Sequence, residues 1–332
     1  MTKTLFIVLA LALLALPAAA ARNHPGVIRG LAVSPDSKLM AVEFAKDKNS
    51  FIYLVDPATG VARRLTDATE GGEYSPAFSP DGKRIAYFYD PEMGMPSKAN
   101  VPGIVIVNID GTDRHAWPLG TNCLSPVFSP DNKMLVYSCY GFYGNYSPIA
   151  QPHPHAWDFF EADLDGTNVR QLTNETFYMA STVSISHDGK DMVAVTEGLE
   201  TNRQMRIYSL DQPPHVIRSL QPHVPKEADH KSPTVDFPNY MPDGKSILFM
   251  AASNGKHGYD YDVYRVDLET NSIERLTVGN SYATSLTVSA DGKTAAFLKW
   301  RSDWHATPVQ SELYLLDVQS RQLTPVQIKG LD

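Results

Sequence analysis

The sequence predicts an all-β fold, a six-bladed β-propeller built of four-stranded antiparallel blades, and three observations carry that prediction. The first is a hairpin phrase written six times: "SPDSK" 34–38, "SPDGK" 79–83, "SPDNK" 129–133, "SHDGK" 186–190, "MPDGK" 241–245 and "SADGK" 289–293. Its central Asp recurs at 36, 81, 131, 188, 243 and 291, and internal repeats of such length signal a propeller, a solenoid or an array. The second is the run after each turn, apolar at three consecutive positions: Met40-Ala41-Val42, Ile85-Ala86-Tyr87, Leu135-Val136-Tyr137, Met192-Val193-Ala194, Ile247-Leu248-Phe249 and Ala295-Ala296-Phe297. A strand apolar on both faces is covered on both faces, as in sheets stacked around an axis. The third is a second strand–turn–strand phrase downstream of each hairpin, such as "YLVDPATGVARRLT" 53–66 and "FEADLDGTNVRQLT" 160–173. Two hairpins per repeat make four strands.

Taken in order, the chain opens with "MTKTLFIVLALALLALPAAAARN". Lys3, the apolar run Leu5 to Leu16, the break at Pro17 and the small residues Ala18 to Ala21 follow the plan of a secretory signal peptide, residues 1–21. The competing reading is an uncleaved membrane anchor, for which the apolar run is short. No Cys lies near the cleavage site, which disfavours a lipoprotein. Residues 22–332 are expected to form one propeller domain, with blades at about 31–66, 74–119, 124–173, 181–220, 235–277 and 284–324. The Asp of each turn bends the backbone through its own side chain, Gly or Asn takes the left-handed position, and Lys is solvated; none of these is read as chemistry. "DLDG" at 163–166 faintly resembles a calcium loop but lacks the remaining ligands and sits in a strand–strand turn.

The phrase "SPDGK-x-I-A-Y" followed by "D-x-D-G-T…R-x-L-T" resembles TolB-type propeller repeats, relatives of WD repeats and of the propellers of prolyl oligopeptidases and dipeptidyl-peptidases. The resemblance covers residues 31 to 324. It implies the propeller fold and, through TolB, a periplasmic protein that works by contacts with other envelope proteins. The α/β domain that TolB carries before its propeller has no counterpart in the nine residues "RNHPGVIRG", so TolB's own contacts do not transfer. No G-x-S-x-G elbow of the oligopeptidases occurs. Metal-using pectin-fragment lyases carry related propellers, but their His-containing motifs find no convincing counterpart here.

Each first hairpin runs from the axis outward into the "SPDGK" turn, which places the tight turns on one face and the loops between second and third strands, with the crossings between blades, on the other. Long loops carry function more often than tight turns. The long ones are 90–103, 140–158, 252–262 and 300–312, with the crossing 221–233. They hold Tyr143, Tyr146, His153, His155, Trp157, Tyr259 and Trp304, candidate binding residues because exposed Tyr and Trp anchor interfaces. They also hold His223, His230, His257 and His305, on neighbouring repeats, which with Asp229 or Asp303 would suit Zn²⁺, Mn²⁺ or a similar ion. No tight ligand spacing supports that metal site, and the bland alternative is that these loops pack on themselves over the central tunnel. The in-phase Asp158, Asp262 and Glu312 are read as structural.

The only cysteines are Cys123 and Cys139. A three-residue loop Pro130-Asp131-Asn132 would pair Ser129 with Lys133 and, in the same register, Cys123 with Cys139, so a disulfide is expected there. Lys and Arg number 29 against 37 Asp and Glu, a net charge of −8, and such a surface repels phosphate backbones. The reading that results is an exported binding module, periplasmic or secreted, monomeric and without its own catalytic domain. Its partner would be an envelope or extracellular protein, a peptide or a glycan, with no nucleic acid and no transmembrane span after cleavage. No cofactor is required by the sequence. The alternative is a metal-dependent carbohydrate- or peptide-active enzyme, a lyase or hydrolase, using the loop-face histidines.

Overall fold

A computed structural model describes residues 26–69, 71–91, 103–118, 122–143, 153–198, 203–211, 213–220, 235–253, 260–279, 282–300 and 311–331. These residues form twenty-four strands, numbered in chain order, and no helix. Four sheets are four-stranded and antiparallel, each filling from the axis outward in chain order. They are β9 (Asn122–Phe128), β10 (Met134–Tyr143), β11 (His153–Asp163) and β12 (Arg170–Gln171); β13 (Met179–Ile185), β14 (Asp191–Glu197), β15 (Gln204–Ser209) and β16 (His215–Leu220); β17 (Val235–Tyr240), β18 (Ser246–Ser253), β19 (Asp260–Asp267) and β20 (Ile273–Arg275); and β21 (Tyr282–Val288), β22 (Thr294–Trp300), β23 (Ser311–Asp317) and β24 (Leu323–Val326).

The fifth sheet has eight strands: β1 (Val27–Val33), β2 (Met40–Lys46), β3 (Asn49–Val55), β4 (Ala62–Arg64), β5 (Gly72–Phe78), β6 (Arg84–Asp90), β7 (Gly103–Asn108) and β8 (His115–Pro118). The expectation of six separate blades is therefore corrected: among the described residues the six repeats occupy five hydrogen-bonded sheets. The cause is one parallel pair, Ser50 with Gly72, which joins β3 to β5. Ser50 N–H donates to the Gly71 carbonyl at 3.1 Å, and Gly71 N–H donates to Asn49 Oδ1 at 3.1 Å. β4 pairs with β3 outside this path.

The both-sided apolar strands do what their pattern requires. Met40, Ala41 and Val42 are buried, as are Ile85, Ala86 and Tyr87 and their counterparts in the other repeats. Six core clusters result among the described residues, each drawn from two neighbouring repeats. Ile52, Leu54, Ile85 and Tyr87 fill the wedge between repeats one and two, and Val193, Ile207, Ile247 and Phe249 the wedge between four and five. Removing one such aliphatic side chain from water is worth about 1.5–3 kcal/mol, so each wedge is a substantial hydrophobic joint. The wedge containing Ile28, Val42, Leu298 and Leu313 joins the sixth repeat to the first and closes the ring.

That last seam is also tied by backbone. Lys329 N–H donates to the Gly60 carbonyl at 2.8 Å and Ala62 N–H donates to the Lys329 carbonyl at 2.9 Å, a parallel bridge beside β4. Gly60 has φ +71°, and a Cβ there would lie 1.9 Å from the Gln327 carbonyl oxygen, so both the conformation and the approach of the tail need glycine. The chain end thus clamps the outer edge of the first repeat instead of sharing a strand with it.

Every tight turn has one design. In the third repeat Ser129 N–H donates to the Met134 carbonyl, Ser129 Oγ donates to Asp131 Oδ1 at 2.6 Å, and Lys133 N–H donates to the same oxygen at 3.2 Å. Asn132 takes φ +61°, as Ser37 and four glycines do in the other repeats. Ser129 therefore pairs with Met134, not with Lys133, and the expected three-residue loop is one residue too short. The cysteines still face each other, because a bulge between Val136 and Ser138, with Ser125 at φ +54°, restores the register to Cys139 opposite Cys123. The disulfide is present, with a Cα–Cα distance of 4.0 Å. It sits at the root of an arm, for β10 and β11 run on to pair Tyr143 with His153. Residues 140–143 and 153–158, expected in a loop, are strand.

Candidate functional site: the central cavity

The six inner strands β1, β5, β9, β13, β17 and β21 line one cavity of about 930 Å³ on the axis. At the tight-turn end its rim is Pro35, Pro80, Pro130, His187, Pro242 and Ala290, the second residue of each repeated phrase. The proline rings pack onto the next turn: a Cβ on Gly82 would meet Pro35 at 3.5 Å, and one on Gly292 would meet Pro242 at 2.9 Å. This rim is rigid and largely apolar. Outside it stand solvated Lys–Asp pairs, such as Lys133 to Asp131 at 3.3 Å with both side chains more than half exposed, which contribute little to stability.

The inner strands carry a bulge in phase, and positive φ at Ser75, Ser125, Phe237 and Ser285 marks four of them. An extra residue at such a bulge leaves the ladder locally unpaired and re-aims its groups. Several of these groups stitch neighbouring repeats together. Ser285 Oγ donates to the Arg29 carbonyl at 2.8 Å, Asn239 Nδ2 to the Leu286 carbonyl at 3.0 Å, and Tyr240 N–H to Ser184 Oγ at 3.0 Å. The hydroxyl of Thr182, also on the cavity wall, is buried and has no hydrogen-bond partner among the described residues.

At the loop-bearing end the wall gains Tyr282, Trp300, Arg29 and Glu43. Tyr282 meets Trp300 edge-on at 6.4 Å and Tyr261 at 5.7 Å, and the Trp300 indole N–H donates to Thr284 Oγ1 at 2.9 Å. Behind them Arg203 Nη1 donates to Asp236 Oδ2 at 2.7 Å, with Glu197 3.7 Å from Arg203 Nε. Burial lifts the Asp236 carboxyl to about 6 against the pull of Arg203. Glu43 is 6 % exposed. Its Oε2 accepts Ser75 N–H at 3.2 Å across the seam between repeats one and two. Burial raises its carboxyl to about 7, opposed by the Ser75 N–H, the nearby Arg29 charge and Ser50.

Of the candidate binding and metal-ligating residues singled out from sequence, only Trp157 has a described side chain. It is 8 % exposed, in tilted ring contact with Tyr140 at 4.4 Å and packed in the wedge between repeats three and four. Tyr143, His153 and His155 are placed only as paired backbone in the arm. Tyr146, Tyr259, Trp304, His223, His230, His257 and His305 lie outside the described residues. No group of three or more metal-ligating side chains occurs among the described residues. Asp158 and Asp262 hold their own blades. Asp158 accepts the Thr173 hydroxyl at 2.7 Å and Glu175 N–H at 2.9 Å, and Asp262 accepts the Thr277 hydroxyl at 2.8 Å.

Sequence reasoning missed Glu43, although a signal existed. Aligned on the turn Lys, Glu43 falls where the other repeats have Phe88, Ser138, Val195, Met250 and Leu298. A lone charge in a both-sided apolar strand marks a place where the wall does something other than pack.

No family model and no curated protein matches this sequence. Solved structures do match its fold. TolB from Acinetobacter baumannii aligns at TM-score 0.58 and 18 % identity over 93 % of this chain; the chain spans 65 % of that protein's length. An oligogalacturonate lyase in complex with manganese aligns at TM-score 0.56 and 16 % identity, over 91 % of this chain and 77 % of that one. The β-propeller domain of the Trilobed protease from Pyrococcus furiosus, described as having an open velcro topology, aligns at TM-score 0.55 and 14 % identity, over 93 % and 97 %. The fold is that of a TolB-like β-propeller, shared with TolB, with an oligogalacturonate lyase and with the propeller domain of a protease.

Proposed function

We propose that this chain is an exported binding module of the cell envelope or extracellular space, and that its partner, a protein segment, enters the central cavity from the loop-bearing end. Counting the fused sheet as two blades makes the ring six-bladed. The observation that carries the reading is the cavity itself. One continuous space of about 930 Å³ is walled by all six inner strands. It is largely apolar with a few convergent polar groups at one mouth, which is the usual make-up of a ligand site. The opposite rim of packed prolines offers little to grip. An apparent signal sequence and the Cys123–Cys139 disulfide support an oxidising compartment outside the cytosol.

The test is capture from an envelope extract by the immobilised protein, wild type beside Thr182→Trp, which fills the cavity from a wall position. Loss of a wild-type partner in the filled variant supports the reading; unchanged capture moves binding elsewhere and overturns it. Elemental analysis separates this role from a metal-dependent lyase or hydrolase. Stoichiometric metal that is lost on replacing His257 and His305 would put the enzyme in its place.

A further inference from the structure

The cavity wall holds one acidic side chain, Glu43, among the described residues. A buried carboxylate is costly unless it is paired, yet among the described residues no ion pair holds Glu43: Ser75 N–H donates to it, Ser50 stands nearby, and Arg29 acts on it only through space. Tyr74, on the same strand as Ser75, feels its charge. The carboxyl packs against Gly30: a Cβ on Gly30, itself on the cavity wall, would lie 2.9 Å from Glu43 Oε2. The φ of Gly30 is not positive, so the backbone does not demand glycine there. The missing methyl instead lets the carboxyl lie close against the backbone at the cavity wall. Tyr282 and Trp300 stand at the same mouth, and aromatic faces attract cations. The protein's net charge of −8 draws cations toward it.

From this geometry we infer that the cavity recognises an alkylammonium or guanidinium group on a linear chain, seated against Glu43 where it lines the cavity beside Gly30. The inference rests on the cavity being the binding site and adds what it selects. Binding of a cation requires the ionised carboxylate, so it competes with a proton. A carboxyl near pH 7 in the free protein is mostly protonated at pH 6 and mostly ionised at pH 8, which predicts about tenfold tighter binding at pH 8. Arg29, Ser75 N–H, Ser50 and Tyr74 are the groups facing Glu43 from the first, fifth and third strands. Arg29 competes with the ligand's charge, so removing it strengthens binding.

Calorimetry with three probes tests this: spermidine, the peptide acetyl-Gly-Pro-Lys-Pro-Gly-amide, and its norleucine counterpart. The expected result is binding of at least one cationic probe, release of about half a proton on binding at pH 7, about tenfold weaker binding at pH 6 than at pH 8, and none of these with norleucine. Spermidine alone binding points to a free polyamine, the lysine peptide to a protein side chain. Gly30→Ala, which displaces the Glu43 carboxyl without changing charge, is expected to weaken binding in a folded protein and Glu43→Gln to abolish it, while Arg29→Ala tightens it. Equal binding of the norleucine peptide, or cation binding untouched by Gly30→Ala, overturns the inference but leaves the cavity as the site. Binding of the lysine peptide that survives Thr182→Trp overturns the cavity reading as well. Failure of every probe to bind overturns the inference outright.

Discussion

The seam between repeats one and two and the seam between repeats six and one do the same work with different chemistry. The first is stapled from inside by two buried carboxylates that reach across it in opposite directions. Glu43 of the first repeat accepts Ser75 N–H of the second; Glu73 of the second accepts Ile52 N–H at 3.0 Å and the Thr66 hydroxyl at 2.8 Å of the first. Burial raises both carboxyls. The closing seam has no such pair among the described residues. It relies on an aliphatic wedge, completed by Val326, Ile328 and Leu331, on the tail bridge at Lys329, and on neutral polar contacts, Ile28 N–H to Ser311 Oγ at 3.0 Å and Ser285 Oγ to the Arg29 carbonyl at 2.8 Å. A joint made while the chain is continuous can be specified by single polar contacts. A joint between distant ends must also offset the entropy of bringing them together, and here apolar burial does that.

The comparison breaks most sharply at the tail. Ending the chain after Pro325 removes the bridge and three aliphatic residues, and should cost about 4 kcal/mol, read as a lower urea midpoint. A truncated protein as stable as the full chain would show that the wedge alone closes the ring. Next in size is the arm's root. Replacing Cys123 and Cys139 with Ser frees a loop of sixteen-residue separation and should cost about 3 kcal/mol.

The stapled seam has a pH signature of similar size. Glu43 titrates higher in the folded chain than unfolded, so the folded state prefers its protonated form. Wild type should gain stability relative to Glu43→Gln as pH falls from about 7 toward 4.5, on the order of 3 kcal/mol in total. Buried Asp236, lifted to about 6, acts in the same sense and is common to both proteins. Below that window the turn aspartates, held low by their Ser hydroxyl and Lys N–H donors, reverse the trend. Glu73→Ala, which strands the Ile52 N–H and Thr66 hydroxyl in the interior, should cost about 2 kcal/mol at neutral pH, and more as pH falls because burial raises the Glu73 carboxyl in the folded chain. Smallest is Arg321→Ala on the outer rim, where an exposed pair with Glu274 is lost; about 0.5 kcal/mol is expected.

The propeller was legible because its information is local and repeated. The Asp of each turn, with a Ser two residues before it in five of the six, specifies a hairpin within five residues, and three consecutive apolar residues announce a strand covered on both faces. The cysteine pairing was legible in outcome though not in route, since a turn one residue longer and a bulge at Ser125 cancelled. What escaped was whatever depends on partners far apart in the chain. The Ser50–Gly72 bridge, the tail at Gly60 and the carboxyls of Glu43 and Glu73 each need a neighbour more than twenty residues away. Attention to aromatic and histidine loops also drew the eye from the axis. Trp157, read as an exposed anchor, belongs to a wedge.

The claim on which the functional account stands is that the axis, not the outer surface, receives the partner. Affinity of the captured partner for Thr182→Trp, measured beside wild type, tests it most directly. The account predicts at least a tenfold loss with the urea midpoint unchanged. Equal affinity for the two proteins would contradict it.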